Sequence, residues 1–187
     1  MSRRRPLAPM RWFRLWSPDA AVAANTCRRM SAAGDDPVPL GPLAQLLTRG
    51  VGRALRDFGY VSLSEFTLRS RRRVDVIALN HSGAIAIVEV KSSIEDFRAD
   101  HKWRDYQAYC DRFYFAVPPD FPRQVLPEDC GLWIADAYGA ILRREAPLQP
   151  LNATRRRSQT LRFAQTAARR LARTSELAKG MRKPPNH

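Results

Sequence analysis

Apolar residues recur along this chain in two rhythms, and the changes of rhythm mark its elements. Between residues 42 and 58, Leu43, Leu46, Leu47, Val51 and Leu55 follow a three- and four-residue spacing. That spacing predicts an amphipathic helix, stopped by Gly59. SLSEFTL (62–68) then reads as a strand. RRVDVIALN and AIAIVEVKS, separated by a polar turn at Asn80 to Gly83, read as two strands of a hairpin. IEDFRADHKWRDYQAYC (94–110) predicts a second helix, with Ser92 or Ser93 capping its start. DRFYFAVP predicts a strand ended by Pro118 and Pro119, and GLWIADAYGAILRRE predicts two short strands about Tyr138 and Gly139. The last element, RRRSQTLRFAQTAARRLARTSEL, places Leu161, Ala164, Ala168 and Leu171 on one face among arginines, and predicts a basic helix docked through that stripe. The order α, three strands, α, strand, hairpin, α defines an α/β domain with a mixed sheet flanked by helices.

Inside the hairpin three charged residues interrupt segments that otherwise read as core. If the turn centres on Ser82, Asp75 stands opposite Glu89, and Lys91 shares the face of Glu89. Val74, Val76, Val88 and Val90 then line the other face, so both strands are central and buried on both sides. Opposed residues hold their Cβ atoms roughly 4.5–5.5 Å apart. Two carboxylates at that separation repel each other, and a hard divalent cation relieves the repulsion. Mg²⁺ or Mn²⁺ held this way polarises a phosphodiester and activates a water, while a lysine stabilises charge on the phosphate. A carboxylate–lysine pair at a sheet margin is the ordinary alternative.

The composition narrows the setting. Among 187 residues 44% are hydrophobic, enough for a core, and no apolar run approaches the length of a membrane span. Cys27, Cys110 and Cys130 are far apart, which argues against a zinc site or disulfide framework. The net charge of +14 is concentrated at the ends: residues 1–34 carry +6, residues 155–187 carry +9, and the segment between them carries −1. Basic blocks of this kind point to nucleic acid, with a solvated tail as the bland alternative. Candidate phosphate contacts are Arg71, Arg72 and Arg73 before the acidic strand, Lys102 in the second helix, and Arg155, Arg156 and Arg157. Phe97, Trp103, Tyr106 and Cys110 read as core, and His81 as solvated. SRRRPLAP resembles the start of an export signal, but Arg11 and Arg14 interrupt its apolar stretch. Residues 1–39 are therefore read as a disordered basic extension, 40–174 as the domain, and 175–187 as a disordered tail.

VDVIAL…IVEVKSS resembles the (P)D…(D/E)xK core of the PD-(D/E)XK (restriction-endonuclease-like) nuclease superfamily. Across about residues 40–172 the text RRRVDVIALN, IVEVKSSIEDFRAD, KWRDYQAYCDRFYFAVPPDFP and ADAYGAILRREAP resembles the bacterial MmcB-like DNA repair proteins. The resemblance implies a repair nuclease of the bacterial cytoplasm and nucleoid that acts on DNA with Mg²⁺ or Mn²⁺. In that reading Asp75 and Glu89 hold the metal with the Val90 carbonyl, and Lys91 is catalytic. Val74 replaces the usual proline. The first helix lacks the glutamate many members carry, leaving Glu65 either to complete the metal shell or to serve as a surface ion-pair partner. A second reading is a non-catalytic DNA-binding adaptor that keeps the fold and recruits other repair proteins. Oligomeric state is left open.

Overall fold

The computed structural model describes residues 43–100 and 102–180, with side chains to residue 178. The expected extension over residues 1–39 and the last part of the expected tail, 181–187, lie outside the described residues. Helix α1 (Leu43–Asp57) leads into strands β1 (Tyr60–Thr67), β2 (Arg73–Asn80) and β3 (Ile85–Val90). A short helix α2 (Ile94–Ala99) and a 3₁₀ segment (Trp103–Tyr109) follow. Strands β4 (Arg112–Val117), β5 (Gly131–Ala135) and β6 (Ala140–Arg144) precede a long helix α3 (Ala153–Gly180). The strands form one sheet in sequence order, β1 to β6. β3–β4 and β4–β5 pair parallel and the remaining neighbours pair antiparallel. This is a mixed six-stranded α/β fold, as the alternation of rhythms predicts.

The β2–β3 hairpin has the expected register, with Val76 opposite Val88 and Ile77 opposite Ile87. Its turn is organised by Asn80, whose Oδ1 accepts the Ser82 and Ala84 amides at 3.0 and 2.9 Å, while Gly83 takes a φ of +80°. Every residue of β3 is buried. On one face of the sheet, Val76, Ala78, Ala86, Val88, Val90 and Trp133 pack with Leu47, Val51 and Leu55 of α1. Gly50 lets α1 approach the β5–β6 turn, because a Cβ there would fall 2.0 Å from the Asp136 carbonyl oxygen. On the other face, Ile77, Ile85, Ile87, Phe113 and Phe115 pack with Trp103, Tyr106 and Phe163. Burial of this many aliphatic and aromatic side chains, each worth roughly 1.5–3 kcal/mol, is the main stabilising term.

Four local expectations are corrected. Val74 joins the Ile77 face rather than the Val76 face. Val74 pairs with Phe66 and Val76 with Ser64, so the face changes beside Glu65, whose φ of +47° is the left-handed region a side chain disfavours. The expected helix over 94–110 is split at Asp100, where the backbone becomes extended. Helix α3 continues to Gly180, so residues 175–180 of the expected tail are helical. Finally, α3 docks through Gln159 and Phe163, leaving Leu161 and Leu171 53% and 69% exposed and Ala164 and Ala168 exposed as well. Arginines do much of that docking: Arg170 donates to the Ser64 and Glu65 carbonyls at 2.7 and 2.9 Å, and Arg162 to Thr67 at 2.9 Å.

A second buried acid fixes the start of α3. Asp111 accepts the Ile85 amide at 2.7 Å, the Leu151 amide at 2.9 Å, and both terminal nitrogens of Arg156 at 2.7 and 2.6 Å. Burial alone would raise the Asp111 pKa, but the Arg156 hydrogen bonds and the backbone donors outweigh it and the net shift is downward. The associated stability is present above the unfolded carboxylate value, about 3.9, and is lost as pH falls through the lower folded value. Asp111→Asn leaves the part-exposed Arg156 without its charge partner and should cost about 1.5–3 kcal/mol. Urea unfolding at pH 7 should show that loss, and the difference should shrink below about pH 4. An unchanged midpoint at pH 7 would contradict this role.

Candidate functional site

The hairpin ladder ends at Val76–Val88, one residue short of the acidic pair. Beyond it β3 stays with β4, through Glu89–Phe115, Val90–Ala116 and the Lys91 amide on the Ala116 carbonyl at 2.9 Å. β2 is instead joined to β3 by side chains. The Asp75 amide donates to Glu89 Oε1 at 3.2 Å, and the Val90 amide donates to Asp75 Oδ2 at 2.8 Å. Each carboxylate thus takes a backbone donor from the opposite strand, and the two acids face one another across the fork.

Their surroundings disfavour charge. Burial is the first cause that raises the Asp75 pKa, against the opposing Val90 hydrogen bond. Glu89 is 4% exposed; burial, followed by the charge of Asp75, pushes its pKa from 4.5 up to about 8. The metal-free pair therefore holds a proton near neutrality, or needs a cation in its place. Tyr106, buried in the 3₁₀ segment, feels the same acids: burial and then the Glu89 charge push its hydroxyl up to about 12.

Lys91 lies on this site as expected, but its ammonium has its own partners. It donates to Asp100 Oδ2 at 2.7 Å and lies 3.9 Å from Asp96 Oδ1. Burial works to lower the Lys91 pKa, yet the Asp100 hydrogen bond and charge outweigh it and the net shift is upward. Asp100 shifts downward for the reciprocal reason, its Lys91 bond overcoming its own burial. Asp96 and Asp100 had no signal in the sequence, because Asp100 reaches Lys91 only where the helix breaks. The break also lets the Asp100 Oδ1 accept the Lys102 amide at 2.9 Å. Ser93 caps α2, accepting the Asp96 amide at 3.2 Å.

The other expected residues scatter around this centre. Glu65 is exposed, its carboxylate 3.8 Å from Arg73, so the surface ion-pair alternative describes its side chain and it does not join Asp75 and Glu89. Among the described residues no group of three His, Cys, Asp or Glu side chains is placed to hold a metal. The donors brought together are two hard carboxylates, a set that suits Mg²⁺ or Mn²⁺ completed by water and a carbonyl such as that of Val90. Arg71, Arg73 and Lys102 are exposed, while Arg72 pairs with Asp105 at 2.7 Å. Of the arginine run on α3, Arg156 is consumed by Asp111 and Arg155 donates to the Ala108 carbonyl at 3.3 Å. Arg157 is exposed. The run is therefore partly a structural clamp rather than a uniform phosphate grip.

A mixed α/β domain with an acidic pair at a strand fork and a buried lysine beside it is the class of protein these features define. The family model for DNA repair protein MmcB-like matches residues 40–178, and the chain belongs to that family. It is also similar to a solved structure, SPO1766, a protein of unknown function from Silicibacter pomeroyi. The two are 44% identical, with a TM-score of 0.70 over 80% of this chain and all of that one. None of the curated proteins matches the chain. No helix among the described residues is long and apolar enough to cross a membrane.

The raised Glu89 pKa sets the pH dependence of the metal-free protein. Folded Glu89 retains its proton between about pH 4.5 and about 8 while the unfolded chain has lost it, so stability falls as pH rises through that window. Glu89→Gln keeps the acceptor for the Asp75 amide and removes the charge. In the presence of a chelator it should be more stable than the parent at pH 8, by at least about 1 kcal/mol, and equal to it near pH 4. Denaturant unfolding across that range would contradict the assignment if the two proteins ran parallel.

Proposed function

We propose that this protein is a divalent-metal-dependent DNA phosphodiesterase acting in repair, with a core of the PD-(D/E)XK type. The observation that carries the reading is the charge balance at the fork. Asp75, Glu89, Asp96 and Asp100 surround one lysine, and the Lys91 charge is directed at Asp100. Unaided, that arrangement repels a phosphate. A divalent cation between Asp75 and Glu89 reverses the sign where a phosphodiester must approach, and when bound it polarises the phosphate and lowers the pKa of a water. Asp75 and Glu89 hold the ion, the Val90 backbone adds a donor, and Lys91 stabilises charge on the phosphate. Asp100 keeps Lys91 protonated. The exposed Arg71, Arg73 and Lys102 hold the DNA backbone without reading its sequence. Membership in a DNA repair family supports DNA as the partner and agrees with a location at the bacterial nucleoid.

One observation favours a binding-only adaptor instead: Lys91 is already paired, at 2.7 Å, as in an ordinary buried ion pair. Cleavage assays separate the two. Purified protein with Mg²⁺ or Mn²⁺ should cut at least one of single-stranded, duplex, flapped or nicked DNA. Lys91→Ala, Asp75→Asn and Glu89→Gln should each lower the rate by a factor of about 100 or more while DNA affinity is kept. DNA binding with no metal-dependent cleavage of any substrate would favour the adaptor.

A further inference from the structure

Helix α3 carries a face that the domain leaves uncovered. Leu161, Ala164, Ala168, Leu171, Ser175 and Ala178 recur at alternating intervals of three and four, and all are exposed. That interval is the seam of a left-handed helix pair, so the surface fits another helix. The domain occupies a different face of α3, through Gln159, Phe163 and Arg170, and leaves the seam clear.

The neighbours of the seam identify the occupant. Although α3 is strongly basic, the positions flanking its central layers are Thr160, Gln165, Ala167, Ala172 and Thr174. A stripe built for an acidic partner, an anionic membrane or a phosphate backbone would be bordered by the arginines. Arg169 and Arg173 lie instead on a third face, and Arg162 is held against the Thr67 carbonyl. Uncharged borders are what a helix needs to meet its own copy, where each flank faces an identical one.

The geometry points to homodimerisation through α3, with the two helices crossing antiparallel at Ala164 and Ala168. The order Leu161, Ala164, Ala168, Leu171 is the same from either end. Antiparallel pairing therefore sets Ala164 over Ala168 of the second copy, and Leu161 over Leu171 of the second copy. Alanines permit close approach at the crossing point, and leucines fill the space where straight helices diverge. The one arginine in the seam, Arg157, then meets the segment of the second copy that holds Glu176, the only acid of this helix. A parallel pair would set Arg157 against Arg157. Two such contacts complete an isologous interface, in which residue i touches j and j touches i. Two helices crossing in this way make an interface at the low end of the size range, below about 1,200 Å² in total, the class of weak and transient contacts.

Sedimentation equilibrium of the full chain, free of DNA and over roughly 1–200 µM, should show the average mass rising from monomer toward twice that value. The double variant L161E/L171E, altered at two exposed positions, should remain monomeric with unchanged unfolding. R157E and E176R should each weaken the dimer about tenfold, and the two together should restore it. A chain that stays monomeric at 200 µM, or a dimer that survives L161E/L171E, overturns the proposal. Failure of the charge exchange to restore the dimer overturns the antiparallel arrangement. Binding of the monomer to phosphatidylserine vesicles that L161E/L171E abolishes would assign the stripe to a membrane surface instead.

Discussion

Two carboxylates stand where backbone rungs would continue between β2 and β3, and the rest of the site depends on that substitution. β3 pairs antiparallel with β2 and parallel with β4, and the β2–β3 ladder stops at Val76–Val88, leaving a fork at the end of the hairpin. Asp75 and Glu89 close it with side chains, each accepting an amide from the opposite strand. The arrangement satisfies donors that would otherwise be buried without partners, at the cost of confining two like charges. A proton on Glu89 or a cation between the acids relieves that cost. Structure and reactivity therefore have one origin.

β3 is held at both ends by the same device. Asp111 accepts the amide of its first residue, Ile85, and Asp75 accepts that of its last, Val90. The first acid is neutralised within the chain by Arg156, which ties α3 to the sheet. The second has no ion-pair partner of that kind among the described residues, since Lys91 is turned toward Asp100. That contrast distinguishes a structural acid from one available to a ligand. A chain with +14 net charge can keep a locally acidic fork because its excess of cations falls in residues 1–34 and 155–187 of the sequence, while the segment between them carries −1.

The elements that could be read from sequence were those set by local periodicity. The hairpin register follows from the turn that Asn80 and Gly83 frame between two apolar runs, so the opposition of Asp75 and Glu89 is legible in the sequence. What the sequence hid depends on tertiary partners. The helix over 94–110 looks continuous, but Asp100 leaves it to bind a lysine on a different element. The docked face of α3 uses Gln159, Phe163 and the guanidinium groups of Arg156, Arg162 and Arg170, while its apparent apolar stripe stays outside. A long arginine buries its methylene groups and still reaches carbonyls, so hydropathy alone misassigned the face. Arg156 looks like its neighbours and differs only because Asp111 lies beneath it. Val74 takes the other face beside Glu65, whose left-handed backbone no residue type at that position announces.

The central claim is that the fork exchanges a proton for a divalent ion. Calorimetric titration with Mn²⁺ at pH 7, in two buffers of different ionisation enthalpy, tests it most directly. The account expects one ion per chain and release of close to one proton, because Glu89 titrates near 8 in the metal-free protein. Asp75→Asn should abolish binding, and Glu89→Gln should weaken binding and remove the proton release. Absence of binding in the parent, or equal binding by both variants, would contradict the account.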